Sequence, residues 1–334
     1  MKKVSVYSLV LCLSFVLISN ILAEEKVCSF GIIGASLSQE NLVDSVFNNA
    51  GNYTFFLKKE NSLRQKQGIS IAGTESSNEY RDTPTLWIKG FGGEGKVDVD
   101  VLEENKKYKS THYGAIVGLD FDRKYTDVFD ATYGFFISYI NNELNIDKSE
   151  DIKLKQNIGF VGVRGNLYFG RLFFSGVINY GLSFNKIEQT DNSYDFEKFN
   201  SSIIGVAGKV GYNFEVAEKS FTIQPNIILT GSYIFIMDDI KKESRIDDIK
   251  KYTAEPGLKL VKTLGRCWIL AGEGRYVVEK FEKQIEDDIC YGNYTNLGLG
   301  IEKIWGYTVL HIKANKTLGA MDAYIVNAGI ELKF

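Results

Sequence analysis

Proline is nearly missing from this 334-residue chain, which holds only Pro84, Pro225 and Pro256. So low a count excludes proline-rich linkers and leaves long, uninterrupted strands or helices open. Histidine is scarcer still, with His112 and His311 alone. Four cysteines are present, at 12, 28, 267 and 290, and none has the CxxC or Cys/His spacing of a metal site. No metal or other cofactor is therefore expected. An excess of basic residues is also lacking: 39 Lys and Arg against 42 Asp and Glu give a net charge of −3. That balance offers nothing to a nucleic acid. Neither histidine has a Ser or Asp at a recognisable catalytic spacing, although Asp98 and Asp100 precede His112 closely enough to be weighed. The reading is not that of an enzyme.

Long apolar runs are absent except at the start. Met1-Lys2-Lys3 leads into a largely apolar run from Val4 to Leu22, then Ala23-Glu24-Glu25. A basic n-region, an apolar core and a small residue before a polar switch describe a secretory signal peptide, residues 1–23, cleaved after Ala23. Cys28 follows Glu25-Lys26-Val27, which is no lipoprotein site. No later run reaches the roughly 18 to 20 apolar residues of a spanning helix. An exported chain of this kind can enter a membrane only as a closed barrel.

What the chain has in plenty is glycine, 32, and aromatics, with 22 Phe and 19 Tyr. Residues 24–84 form a short N-terminal segment. Leu37, Leu42, Val43, Val46 and Phe47 fall at helical spacing, with Ser38 as a cap. A second helix is expected over Tyr53–Gln67, and Gly68–Pro84 reads as linker. From Thr85 to Phe334 the apolar period is two. Leu172, Phe174, Ile178, Tyr180, Leu182 and Phe184 alternate with Ser175, Asn179, Gly181, Ser183 and Asn185. Phe221–Phe235 and Tyr113–Phe121 behave likewise, and the segment from Glu255 to Leu264 is the weakest. About twelve such segments are expected, beginning near Thr85, Ser110, Phe129, Leu154, Arg171, Ser201, Ser220, Tyr252, Arg266, Tyr291, Gly306 and Ala320.

The connections alternate in length. Long, charged ones are expected over 94–109, 141–153, 186–200, 237–251 and 280–290, and short ones at 122–127, 170–171, 217–219, 264–266 and 305–306, with the last long-side connection, 315–319, a short exception. Short turns on one side and long loops on the other mark outer-membrane barrels. Trp87, Phe91, Tyr168, Phe169, Tyr212, Phe214, Trp268, Trp305 and Tyr307 fall near strand ends and fit two interfacial girdles. The expected fold is all-β: a transmembrane antiparallel barrel of about twelve strands, with a short helical segment in or near the lumen. Inward positions then include Gln156, Arg164, Asn179, Lys209, Asn226, Glu273, Arg275, His311, Lys313, Glu331 and Lys333. Cys267 and Cys290 should lie at opposite rims, unbonded.

The C-terminal strand alternates Tyr324, Val326, Ala328, Ile330, Leu332 and Phe334 with Asn327, Gly329, Glu331 and Lys333. It resembles the signature by which Gram-negative outer-membrane proteins are recognised for assembly. Leu86-Trp87-Ile88-Lys89-Gly90-Phe91-Gly92-Gly93, Tyr113–Asp120 and Ile223-Gln224-Pro225 precede it in order. Together they resemble the autotransporter β-domain, the translocator barrel of type V secretion. The resemblance implies an outer-membrane location, contact with lipid and with the barrel assembly machinery, and a lumenal linker helix over Tyr53–Gln67. It also implies an N-terminal passenger, here very short and without internal repeats. A passenger-free pore, or a surface adhesin acting through its loops, is the alternative. Asn48-Asn49 matches the Asn pair at which some members release their passenger.

Overall fold

In the computed structural model the described residues are 38–39, 42–43, 46–47 and 83–334, apart from 102–103, 127–128, 147–151, 190–197, 217–219, 238–247, 266 and 283–292. The strands are β1 (Thr83–Val101), β2 (Glu104–Lys124), β3 (Phe129–Ile146), β4 (Ile152–Phe169), β5 (Leu172–Gln189), β6 (Lys198–Tyr212) and β7 (Phe214–Val216). They continue as β8 (Phe221–Ile236), β9 (Ile249–Leu264), β10 (Trp268–Glu282), β11 (Tyr294–Trp305), β12 (Thr308–Gly319) and β13 (Met321–Lys333). Each pairs antiparallel with its sequence neighbour, except that β6 and β7 both pair with β8 and not with each other, and β1 pairs with β13 from Thr85↔Lys333 to Val97↔Met321. The sheet thus closes on itself and leaves no edge.

β6 and β7 form a single stave, which makes a closed barrel of twelve. Gly211 faces Asn226 and Phe214 faces Ile223, so the register onto β8 is the same on both sides of the break. Of the two positions between them, Tyr212 is level with Pro225, which has no N–H to give the ladder, and Asn213 is level with Gln224. The Asn213 N–H donates to the other neighbour, at the Arg171 carbonyl, at 2.9 Å. The weakest segment of the sequence, β9, alternates cleanly between buried and exposed residues. Pro256, Gly257 and Lys262 hide that alternation from a hydropathy reading.

Gly170, Gly265 and Gly306 turn the short connections with φ of 59°, 59° and 60°, a left-handed backbone open to glycine at little cost. On the other side the ladders run on. The β1–β2 hairpin stays paired to Val101↔Glu104, and β3–β4 to Asn145↔Lys153. The stretches expected as loops from 94 to 109 and from 141 to 153 are therefore largely strand. Charged residues remain compatible with pairing once the ladder has left the bilayer.

Large inward side chains lie over inward glycines of the next strand. Trp87 faces Gly118, Phe136 faces Gly162, Phe160 faces Gly181 and Phe173 faces Gly211. A Cβ on Gly162 would come within 2.7 Å of the Phe136 ring and 2.8 Å of the Ile178 carbonyl oxygen. Three aromatics expected in the girdles belong to this inner layer: Trp87, Phe91 and Tyr168 are 0%, 6% and 8% exposed. The reason is the phase of the strand, since each falls on its inward positions. Phe169, Tyr212, Phe214, Trp268, Trp305 and Tyr307 do face outward. Cys267 is free and exposed at a short turn, while Cys28 and Cys290 lie outside the described residues.

Above this layer runs a belt of side-chain hydrogen bonds. The Ser110 hydroxyl donates to Asn142 at 3.2 Å, the Asn142 amide to Gln156 at 3.1 Å, and the Gln156 amide to Asn185 at 2.6 Å. Asn185 donates in turn to Ser201 at 3.2 Å. Four strand-to-strand steps are thereby stitched inside the wall. Next to it, Leu182 faces out from the middle of β5. Lysine at Leu182 should cost about 2 to 4 kcal/mol of barrel stability, measured by urea unfolding in lipid vesicles. Unchanged stability would mean that this face does not meet lipid.

Candidate functional site: the lumen

The inward faces bring charged residues from distant strands together. On one side, Asp120 and Arg164 both face Gly134. With no side chain between them, the Asp120 carboxylate accepts from Arg164 Nε at 2.8 Å and also from Nη2. Both side chains are almost wholly buried. The guanidinium stacks over the Trp87 ring at 4.3 Å. Its Nη1 donates to the Val46 carbonyl at 3.1 Å.

That last bond places part of the N-terminal segment inside the barrel. Residues 38–39, 42–43 and 46–47 are helical. Leu42 and Val46 join Trp87, Phe91, Phe136, Phe160 and Ile203 in one buried apolar cluster, with Phe47 packed against it. Gln39 lies against Gly205, where a Cβ would meet its amide. The spacing of Leu42, Val43, Val46 and Phe47 thus serves packing against the inner wall. Ser38 is itself helical and its buried hydroxyl has no partner, so it does not cap. The helix expected over residues 53–67 lies outside the described residues, as do Asn48 and Asn49.

On the opposite wall Glu273 accepts from Arg275 Nη2 at 3.0 Å and from the Lys313 ammonium. Arg275 also reaches Glu255 at 2.9 Å. Gly298 stands between Glu273 and Asn315 in the ladder and leaves the space that the Lys313 stem crosses. Lys251 pairs with Glu279 at 3.1 Å, also buried. Lys209 lies 5.9 Å from the Phe173 ring. His311 is packed over Gly329, and its Nε2 is buried with no hydrogen-bond partner. Lys89, Lys259, Glu302, His311 and Lys313 line a small cavity with Ile301 and Ile312.

Arg164, Glu273 and Arg275 thus sit in two separate ion-pair groups, and Lys209 and His311 stand in neither. Sequence reasoning missed Lys89, Asp120, Lys259 and Glu302. Each lies on an inward position, and the alternation alone could have found them. His112 is buried on β2 opposite Gly93, whereas Asp98 faces Lys107 and Asp100 faces Asn105 further out along the hairpin. The register keeps this His and these acids apart. Among the described residues no group of His, Cys, Asp and Glu is placed to hold a metal ion. At the C-terminal strand, Tyr324, Val326 and Phe334 are exposed on the outer face, with Ile330 and Leu332 half-buried beside them.

Residues 86–238 match the family model described as the autotransporter β-domain. The barrel is of the autotransporter type. The β-domain of the Bordetella autotransporter BrkA superposes with a TM-score of 0.58 at 14% identity, covering 75% of this chain and 98% of that one. The transport unit of AIDA-I from Escherichia coli gives 0.57 at 15%, covering 82% and 97%. The translocator domain of NalP from Neisseria meningitidis gives 0.55 at 12%, covering 85% and 98%. Among curated protein sequences none matches the chain. The autotransporter barrel sits in the outer membrane, and a translocator of this type is not in itself an enzyme.

Removing one member of a buried ion pair strands the other. Asp120→Asn should cost about 3 to 5 kcal/mol, and Asp120→Asn with Arg164→Gln together should cost less than the sum of the two single changes. A double-mutant cycle from denaturant unfolding reads this directly, and additive losses would mean that the pair is not coupled.

Proposed function

We propose that this outer-membrane barrel anchors, and passes through its lumen, a very short N-terminal passenger. On this reading residues 1–23 are a cleaved signal peptide, 24–84 are the passenger with its lumenal segment, and 85–334 are the translocator. The observation that carries it is the helical residues 38–39, 42–43 and 46–47 held inside the wall, with the Val46 carbonyl bonded to Arg164. Lumen-facing Arg164, Lys209, Glu273, Arg275 and His311 keep the interior polar enough for a chain to pass. Tyr324, Val326, Ile330, Leu332 and Phe334 form the strand that the barrel assembly machinery reads. The protein catalyses no reaction and takes no cofactor.

An epitope inserted just after Cys28 should be labelled by antibody on intact cells. Protection until the outer membrane is permeabilised would overturn the reading, because the segment would then remain periplasmic. A second reading, a passenger-free pore or adhesin, is favoured by the length of the β1–β2 hairpin, which stays paired to Val101↔Glu104. Planar-bilayer recording separates pore from plugged translocator. Deletion of residues 24–84 should raise single-channel conductance well above that of the full chain. Equal conductance in both would mean that the segment does not fill the lumen.

A further inference from the structure

The outer face of the barrel is not uniform near its short-turn rim. Around β2–β7 that rim is a band of aromatics. Phe121 stacks on Tyr133 at 5.6 Å, Phe129 on Phe169 at 4.6 Å, and Tyr212 meets Phe214 at 4.6 Å. Around β9–β11 the band is interrupted by two lysines. Lys262 on β9 lies two residues from the strand end at Leu264, and Lys303 on β11 lies two from the end at Trp305. Both are exposed and alternate with the inward residues Val261, buried, and Ile304, half-buried.

Among the described residues no acid pairs with either of them. The register sets Lys262 between Phe221 and Leu270, and Lys303 between Trp268 and Leu310. Every one of these neighbours is apolar or aromatic. Lys303 Nζ lies 4.8 Å from the centre of the Trp268 ring. β10 separates the two lysine strands, and Lys262 lies level with Leu270 while Lys303 lies level with Trp268, so with about 4.8 Å between strands and about 3.4 Å per residue their stems stand about 12 Å apart. Lysine on a lipid face is tolerated where the stem can lie along apolar surface and lift its ammonium to the headgroups. Short turns mark the periplasmic side, so these ammonium groups meet the inner leaflet.

We infer that Lys262, Lys303 and Trp268 form a binding site for the phosphate headgroup of an anionic phospholipid in the periplasmic leaflet. The two ammonium groups supply charge without competing carboxylates, and the indole supplies the amphipathic platform that interfacial lipid favours. A lysine near an anionic membrane surface contributes about 1 kcal/mol, which corresponds to about fivefold in affinity.

The test uses the full chain in mixed micelles with Trp305→Phe. Trp87 is buried in the lumen, so Trp268 is then the tryptophan that lipid can reach. Brominated phosphatidylglycerol should quench its fluorescence at a mole fraction at least about fivefold lower than brominated phosphatidylcholine. Lys262→Gln with Lys303→Gln should abolish the difference. Arg123→Gln, on the aromatic side, should leave it unchanged, and Lys303→Arg should retain it. Heat-shifted gel mobility reports folding of each variant, and the single Gln variants carry the test if the double one does not fold. Equal quenching by both lipids, or a preference that survives the double change, would overturn the site. Loss of the preference in millimolar inorganic phosphate would overturn it too, since the lysines would then bind the free anion.

Discussion

In hydrocarbon there is no water to satisfy a backbone amide, and this molecule is arranged around that constraint. An open sheet would leave a row of N–H and C=O groups facing lipid at each edge, each costing several kcal/mol. Pairing β13 with β1 over thirteen rungs removes both edges at once. The rest follows from closure. Strands must be long enough to cross, their outer faces apolar, and their inner faces must line a cylinder wider than one layer of side chains can fill. Pro84, Pro225 and Pro256 cannot donate to the ladder, and at Pro225 the stave breaks only between Tyr212 and Phe214, while the Asn213 N–H keeps its bond to the strand on the other side.

Filling the cylinder is a problem of volume, and glycine solves it. An inward ring or charged side chain needs room on the adjacent strand, and a glycine opposite supplies it. The same device serves apolar and ionic contacts. Gly118 and Gly162 receive rings, while Gly134 lets Asp120 and Arg164 meet across a whole strand. The abundance of glycine in a chain with almost no other breaker residues is therefore a matter of packing more than of turns.

The barrel was legible because period-two patterning and segregated connection lengths are written locally. The strand starts found by alternation agree with the observed ones to within a few residues along most of the chain. Burial at Trp87, Phe91 and Tyr168 departs from a girdle because an aromatic near a strand end can belong to either face, and only strict phase decides which. The outer hairpins look like loops in sequence because their residues are charged. Once clear of the bilayer, a ladder continues as long as both partners can hydrogen-bond. The ionic contacts of the lumen were beyond the sequence for a different reason. Alternation gives the face of a residue, but not which residue one or two strands away lies level with it, and that depends on register.

Arg164 makes its contacts to two kinds of partner. Asp120 and Trp87 belong to the wall, and the Val46 carbonyl belongs to the segment inside it. The charge is therefore neutralised without the occupant. If the occupant slides or leaves, the wall gives up one neutral acceptor and keeps its counter-ion. A cylinder built this way has an electrostatic balance independent of its contents, so different stretches of one chain can move past the same arginine without each having to bring a matching charge.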